Sequence, residues 1–144
     1  MKTHSILLLL LAALSFFSCR KDPGNNPANC GQLVESGYPS YEYDPFTIRD
    51  AYMTGDFLTL SLNYTGGCEA HCFEVIWGGD LGIFIYLVVT HDDNNDQCES
   101  LVQDDLDVDL YRIKSASQNF DPNLDAVEIQ IQGYYPVTPI IYYF

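Results

Sequence analysis

Apolar and polar residues alternate with a period of two along much of the chain, which is the pattern of β-strands with one buried and one solvated face. In residues 57–64 the leucines and a tyrosine occupy one face, whereas Thr59 and Ser61 lie on the other. The same alternation recurs over residues 105–110 and 127–132. We therefore predict a strand in each of the three segments.

A continuous apolar segment, residues 83–89, is rich in β-branched side chains and predicts a central strand that is covered on both faces. Residues 71–77 precede it, and the glycine-rich residues 78–82 predict a hairpin connection. In the tightest register Trp77 would pair with Ile83. Weaker strand candidates are residues 47–54 and 140–144.

These segments predict an all-β chain with a single β-sandwich of about seven or eight strands. No segment after the N-terminal region has a helical stripe of apolar residues. Immunoglobulin-like connectivity is one arrangement that fits the spacing of the strands. The length of 144 residues suits one domain with one core.

The first 18 residues have the character of an export signal. Lys2 is followed by an apolar run over residues 6–18, which is shorter than the ~20 residues of a membrane-spanning helix. An uncleaved helix lying in the membrane interface is the alternative interpretation. Residues 15–19, Ser-Phe-Phe-Ser-Cys, resemble the lipobox of bacterial lipoproteins. The resemblance implies that Cys19 is acylated and becomes the N-terminus, and several acyl chains give a stable membrane anchor.

The predicted organisation is a signal peptide at 1–18, a flexible tether at 19–29 and the β-sandwich domain at 30–144. The tether is polar and contains Pro, Gly and Asn, as flexible linkers do. It lacks the acidic run that often marks surface export in lipoproteins of Bacteroidota. The predicted location is therefore the outer membrane, with the domain lipid-anchored and facing the periplasm rather than the cell surface.

The charge of the chain is strongly negative, because 20 Asp and Glu residues outweigh 6 Lys and Arg residues. The formal net charge of −14 argues against nucleic acid or anionic lipid as a charge-attracted partner. It permits the binding of cations, although a merely solvated acidic surface explains the same composition.

Setting Cys19 aside leaves an even number of cysteines in an exported chain, which predicts two disulfides. One disulfide with two free thiols and a zinc site built from all four cysteines are the alternatives. The hairpin register brings Cys68 and Cys98 to the same end of the sheet, so they are the expected pair, and Cys30 with Cys72 is the pair that is left.

Two motifs resemble those of an uncharacterised family of bacterial lipoproteins, among them proteins of Bacteroidota. The first is Gly-Gly-Cys-x-x-His-x-Phe at residues 66–73, and the second is His-x-x-Asn-x-Asp-x-Cys at residues 91–98. The resemblance spans about residues 58–110, implies a small β domain, and agrees with the pairing of Cys68 with Cys98. It implies no activity, and Cys30 and Cys72 lie outside its pattern.

The two motif loops are the candidate sites for a metal ion. Two histidines with an acidic residue could begin a zinc site, and the Asp-x-Asn-x-Asp spacing of residues 92–96 is that of calcium-binding loops. The favoured alternative is that the histidines and the Asx-rich turn brace the disulfide corner. The candidate ligands are Glu69, His71, His91, Asp92, Asn94 and Asp96.

Catalysis is not expected, and no cofactor is predicted. Cys72 beside His71 is the one candidate for a nucleophile with a base, but adjacent strand residues point to opposite faces. The chain also lacks a Gly-x-Ser-x-Gly elbow.

The predicted function is therefore that of a membrane-anchored envelope lipoprotein that acts as a binding or structural module, with no nucleic-acid partner. The alternatives are a module that binds through Ca²⁺ or Zn²⁺, and an accessory domain for carbohydrate or protein. Exposed tyrosines are common at such binding surfaces, although they also pack sandwich edges. The tyrosines near the two ends of the domain are Tyr38, Tyr41, Tyr43, Tyr134, Tyr135, Tyr142 and Tyr143.

Overall fold

The structure, a computed structural model, describes residues 30–38 and 43–144. The predicted signal, the tether, Cys19 and Tyr41 lie outside the described residues. In the described ranges no helix is long and apolar enough to cross a membrane. The elements are β1 (Leu33–Glu35), β2 (Phe46–Thr54), β3 (Phe57–Gly66), β4 (Cys72–Trp77), β5 (Phe84–Asp92), β6 (Ser100–Asp109), α1 (Tyr111–Phe120), β7 (Ala126–Ile131) and β8 (Ile140–Tyr143).

The eight strands form two packed sheets, which confirms the predicted all-β sandwich. One sheet has the order β1-β4-β5-β7-β8 and the other the order β2-β3-β6. The connectivity is not immunoglobulin-like, because β1 pairs with β4 in parallel, whereas the first two strands of an immunoglobulin domain are neighbours. A second parallel pair joins β5 to β7.

The core lies between the sheets and is built from the alternating rows that the sequence shows. Leu58, Leu60 and Leu62 of β3 are at most 1% exposed and face the other sheet. From the five-stranded sheet, Ile85, Leu87 and Val89 of β5 point inward. Burial of these rows supplies most of the driving force for folding, at about 25 cal/mol for each Å² of apolar surface.

The central strand β5 is covered on both faces over only part of its length. Val88 on its outer face is 2% exposed, and its partner Ile76 is 4% exposed. Phe84 and Tyr86 lie on the same outer face and are 51% and 39% exposed. The prediction of a fully covered strand is therefore wrong at the N-terminal end of β5.

The register of the β4–β5 hairpin differs from the predicted one by four residues, because Trp77 pairs with Leu87 rather than with Ile83. Residues 78–83 form a longer connection than a tight hairpin turn, and Gly79 adopts a positive φ there. Since side chains alternate with a period of two, a shift by an even number leaves every side chain on its expected face.

The helix α1 was not predicted. It is only ten residues long, and its first residue follows Leu110, which provides no side-chain cap. Ile113 and Ser117 are buried four positions apart, so one narrow stripe faces the core. With only two buried positions and a leucine at the N-cap, the segment has too little helical pattern to be recognised from the sequence.

One polar contact set joins the turn between β2 and β3 to α1 and β8. The carboxylate of Asp56 accepts hydrogen bonds from the Tyr142 hydroxyl at 2.8 Å and from Lys114 Nζ at 3.1 Å. These two bonds, the Tyr142 bond first, hold the pKa of Asp56 below its ordinary value. The carbonyl of Asp56 accepts the N–H of Leu110 at 2.8 Å, so the start of α1 is fixed at the same point.

We expect Tyr142→Phe to lower the free energy of unfolding by about 1–2 kcal/mol, because it removes a hydrogen bond to a charged group while keeping the ring. Tyr142 is 0% exposed, and its neighbour Tyr143 is 72% exposed. Tyr143→Phe is the matched control and should leave stability unchanged. Urea unfolding of both variants measures the effect, and equal stabilities would contradict the prediction.

Candidate functional site

The two motif loops meet at one end of the sandwich. We call this region, residues 66–71 and 91–98, the histidine corner. The disulfide Cys68–Cys98 joins the loops, with a Cα–Cα distance of 5.8 Å. A second disulfide, Cys30–Cys72, ties the start of the described domain to β4, with a Cα–Cα distance of 5.2 Å. The pairing is the one expected from the sequence, and it leaves Cys72 without a free thiol for catalysis.

A buried carboxylate organises the corner. Asp96 Oδ2 accepts the backbone N–H groups of Gly67 at 2.7 Å, Cys68 at 2.8 Å and Glu69 at 3.0 Å. Asp96 Oδ1 accepts the N–H of Cys98 at 2.8 Å. The bonds from Glu69 and Cys98 are the leading causes of a pKa far below the ordinary value for Asp96. Asp96 is therefore an ionised acceptor that holds both loops.

The two histidines are hydrogen-bonded to each other. His71 Nδ1 lies 2.8 Å from His91 Nε2, and His71 Nε2 lies 3.1 Å from Asp96 Oδ2. At the other end of the series, His91 Nδ1 donates to the carbonyl of Asp44 at 3.2 Å. His91 is 3% exposed, and this burial lowers its pKa. The result is one continuous series from Asp96 through both imidazoles to the backbone of Asp44.

Aromatic rings hold the two imidazoles in place. Phe73 stacks on His91 at a centroid distance of 4.2 Å, with the planes 3° apart. Tyr64 lies 4.6 Å from the His71 ring, and Phe46 packs edge-on to His91 at 5.8 Å. The alternation of β3, β4 and β5 places Tyr64, Phe73 and His91 on the core side, so the strands themselves fix the ring positions.

This geometry is not that of a zinc site. A Zn²⁺ ion binds each imidazole nitrogen at about 2.0–2.1 Å and lies between its ligands. The facing nitrogens of His71 and His91 are 2.8 Å apart and are bonded to each other. Glu69, the other candidate ligand, contributes its backbone N–H to Asp96. The predicted metal ligands are brought together, but as a hydrogen-bonded set.

The predicted calcium loop also has another arrangement. Asp92 Oδ1 accepts the N–H of Asn94 at 2.9 Å, and both oxygens of Asp96 accept backbone N–H groups. The three residues form an Asx-rich turn rather than a set of converging oxygens. Asn94 and Asn95 have φ of 54° and 58°, a conformation that asparagine tolerates well.

A different carboxylate group lies on the other side of His91. The oxygens of Asp44, Asp92 and Asp93 lie within 4.8 Å of one another, and Asp44 Oδ2 accepts the N–H of Asp93 at 2.9 Å. No local pattern places Asp44 at this corner, because it lies almost 50 positions from His91 and Asp93 along the chain. The backbone of Asp44 pairs with His91 in both directions, because its N–H donates to the carbonyl of His91 and its own carbonyl accepts from His91 Nδ1.

Two shallow clefts flank the corner. The first, of about 200 Å³, is lined by His71 and Phe73 and by the acidic residues Asp104 and Asp105 of β6. The second, of about 370 Å³, is lined by the aromatic residues Tyr43 and Phe46 and by residues of β5 and the β7–β8 connection. Among the candidate binding tyrosines, Tyr38, Tyr135 and Tyr143 are exposed, whereas Tyr142 is fully buried.

Comparison with known proteins assigns the fold. No protein-family profile matches the chain, and a search of curated proteins found no relative. A NigD-like immunity protein from Bacteroides caccae has the same fold, with 19% identity over 81% of this chain and a TM-score of 0.55. A protein of unknown function, DUF1344, from Bacteroides vulgatus is 15% identical over 78% of this chain, with a TM-score of 0.49. The chain spans 60% and 56% of the lengths of these two proteins.

We expect Gly66→Ala to disrupt the histidine corner. Gly66 has a φ of +147°, and a Cβ there would lie 2.3 Å from His71 Nε2. The substitution should lower the free energy of unfolding by about 1–3 kcal/mol from backbone strain, in addition to displacing His71. Gly55→Ala is the matched control, since Gly55 also has a positive φ, +61°, but open space around it.

Chemical denaturation compares the two glycine variants, and the NMR signals of the His71 ring report its displacement. An equal loss of stability in both variants, with unchanged histidine signals, would show that the close approach of Gly66 to His71 has no role.

Proposed function

We propose that this chain is a lipoprotein of the bacterial cell envelope, anchored through Cys19, whose β-sandwich acts by binding a cationic protein partner rather than as an enzyme. The signal and lipobox-like residues support the anchor. Within the described domain, the groups considered for catalysis are already engaged: the two histidines are bonded to each other, and Cys72 is in a disulfide. These contacts favour a binding role over an enzymatic one.

The observation that carries the binding role is the acidic face, which we define as the outward row Asp105, Asp107 and Asp109 of the edge strand β6. These residues are exposed, and among the described strands β6 pairs with β3 alone. The hydroxyls of Thr59 and Ser61 donate to Asp107 at 2.6 Å and to Asp105 at 2.7 Å. Asp109 Oδ1 accepts the backbone N–H of Tyr111 at 2.8 Å, so each of the three carboxylates is held by a hydrogen bond, at spacings of two residues.

Three basic residues lie in the described ranges, Arg49, Arg112 and Lys114, and none of them forms a salt bridge with this face. Arg112 forms a salt bridge with Glu35, and Lys114 forms one with Asp56. A row of like charges attracts an oppositely charged partner and raises its association rate. A cationic protein surface or peptide is thus the partner chemistry that fits the acidic face.

We expect the anchor to depend on Cys19. Labelled fatty acid should attach to the precursor in the cell, and Cys19→Ala should abolish the labelling and release the protein from the membrane fraction. Cys68→Ser with Cys98→Ser is the control for other cysteines and should leave the labelling intact. Equal labelling of the Cys19→Ala variant would make the lipoprotein proposal wrong.

We expect binding of a cationic partner to depend on the acidic face. The variant Asp105→Asn, Asp107→Asn, Asp109→Asn should retain less than about a tenth of the partner captured from envelope extract at low salt, and capture by the native chain should fall as salt rises. The control removes three exposed carboxylates elsewhere: Glu69→Gln, Glu99→Gln and Asp125→Asn. Equal loss in both variants would indicate general charge attraction and contradict a specific face.

A second candidate is an immunity role. It is favoured by the fold that the chain shares with the NigD-like immunity protein of Bacteroides caccae over 81% of its length. The capture experiment separates the two, because an immunity role requires the captured partner to be a toxin, whereas a resident envelope protein would support the first proposal.

A further inference from the structure

The hydrogen bonds of the histidine corner fix the number of protons on the two imidazoles. A neutral imidazole has one N–H donor and one bare nitrogen that accepts. The series has three links: Asp96 to His71, His71 to His91, and His91 to the carbonyl of Asp44. Each link needs one proton, whereas two neutral imidazoles bring only two.

Neither end of the series can supply the missing proton. The carbonyl of Asp44 is only an acceptor. Asp96 already accepts four backbone N–H bonds, and a protonated carboxyl would have to give some of them up. The third proton therefore belongs to an imidazole.

We infer that His71 and His91 together hold three ring protons, so that the corner is a proton-binding site with a positive charge on His71 that holds the two disulfide-linked loops together. His71 donates from both nitrogens, to Asp96 and to His91. His91 accepts at Nε2 and donates at Nδ1. This assignment satisfies every link in the series.

The surroundings favour a cation at His71 and a neutral ring at His91. Burial lowers the pKa of His91, so its ring stays neutral. The groups that face the pair are the carboxylates of Asp96, Asp44 and Asp93, with Asp104 across the cleft from His71. The ring of Tyr64 lies against His71 and can stabilise a cation on its face.

Two pH limits follow from the proton count. Above the pKa of free histidine, about 6.5, the unfolded chain holds two ring protons and the folded chain three, so the folding equilibrium constant falls by up to tenfold per pH unit. Well below this pKa the two histidines of the unfolded chain hold four ring protons, one more than in the folded chain. The folding equilibrium constant then falls as the pH is lowered, because a fourth proton in the folded chain would place two N–H groups face to face between His71 and His91. The contribution of the pair to stability is thus greatest close to pH 6.5.

The direct test is ¹⁵N NMR of the imidazole nitrogens in the mature chain from residue 19 onward with Cys19→Ser. Its only histidines are His71 and His91, because His4 belongs to the signal. At pH 7 we expect three protonated ring nitrogens and one bare nitrogen, the bare one on His91. Two protonated and two bare nitrogens, or four protonated ones, would overturn the inference.

Two glutamine variants test the same inference through stability. A glutamine at position 91 can accept from His71 with its carbonyl oxygen and donate to the Asp44 carbonyl with its amide. The side chain at position 71, in contrast, must donate both to Asp96 and to His91. His91→Gln should therefore keep the decline of the folding constant above pH 7, and His71→Gln should abolish it. If the two variants and the native chain share one pH profile, the pair holds no extra proton.

Discussion

The buried carboxylate of Asp96 is the interaction on which the histidine corner depends. Its four backbone N–H partners come from two loops that are far apart in the chain, so one side chain fixes both. A buried charge is tolerated only when it is paired and hydrogen-bonded. The N–H groups and His71 supply that compensation, and they give His71 its position at the same time.

Negative charge is distributed unevenly between the interior and the surface. Inside the corner, Asp96 is matched by hydrogen-bond donors and by the imidazole of His71. On the outside, the acidic face of β6 lies on an edge strand, where charged side chains discourage the pairing of strands from another chain. The same row thus protects a free edge and provides the attraction on which the proposed binding relies.

Covalent and aromatic contacts surround the same corner. The disulfide Cys68–Cys98 closes the loops, and the rings of Phe73 and Tyr64 restrict the imidazoles. This packing holds the rings where the three links of the series can form, and the proton count follows from those links. The corner is therefore a rigid end of the sandwich, while the clefts beside it are open to solvent.

The all-β class and most of the strands follow from the sequence alone, because a period of two and the position of turns are local properties of the chain. The expected hairpin favoured the pair Cys68–Cys98, whereas Cys30 and Cys72 were only the pair left over. The sequence could not determine the register of β4 with β5, since the flexible residues 78–83 permit shifts that keep every side chain on its face. The helix α1 was also not predictable from the sequence, because it has only two buried positions and a leucine at its N-cap. Only the tertiary structure brings Asp44 to His91 and turns the candidate metal ligands His71, His91 and Asp96 into a hydrogen-bonded series. These contacts join residues that are 20 to almost 50 positions apart, and no local pattern records such distances.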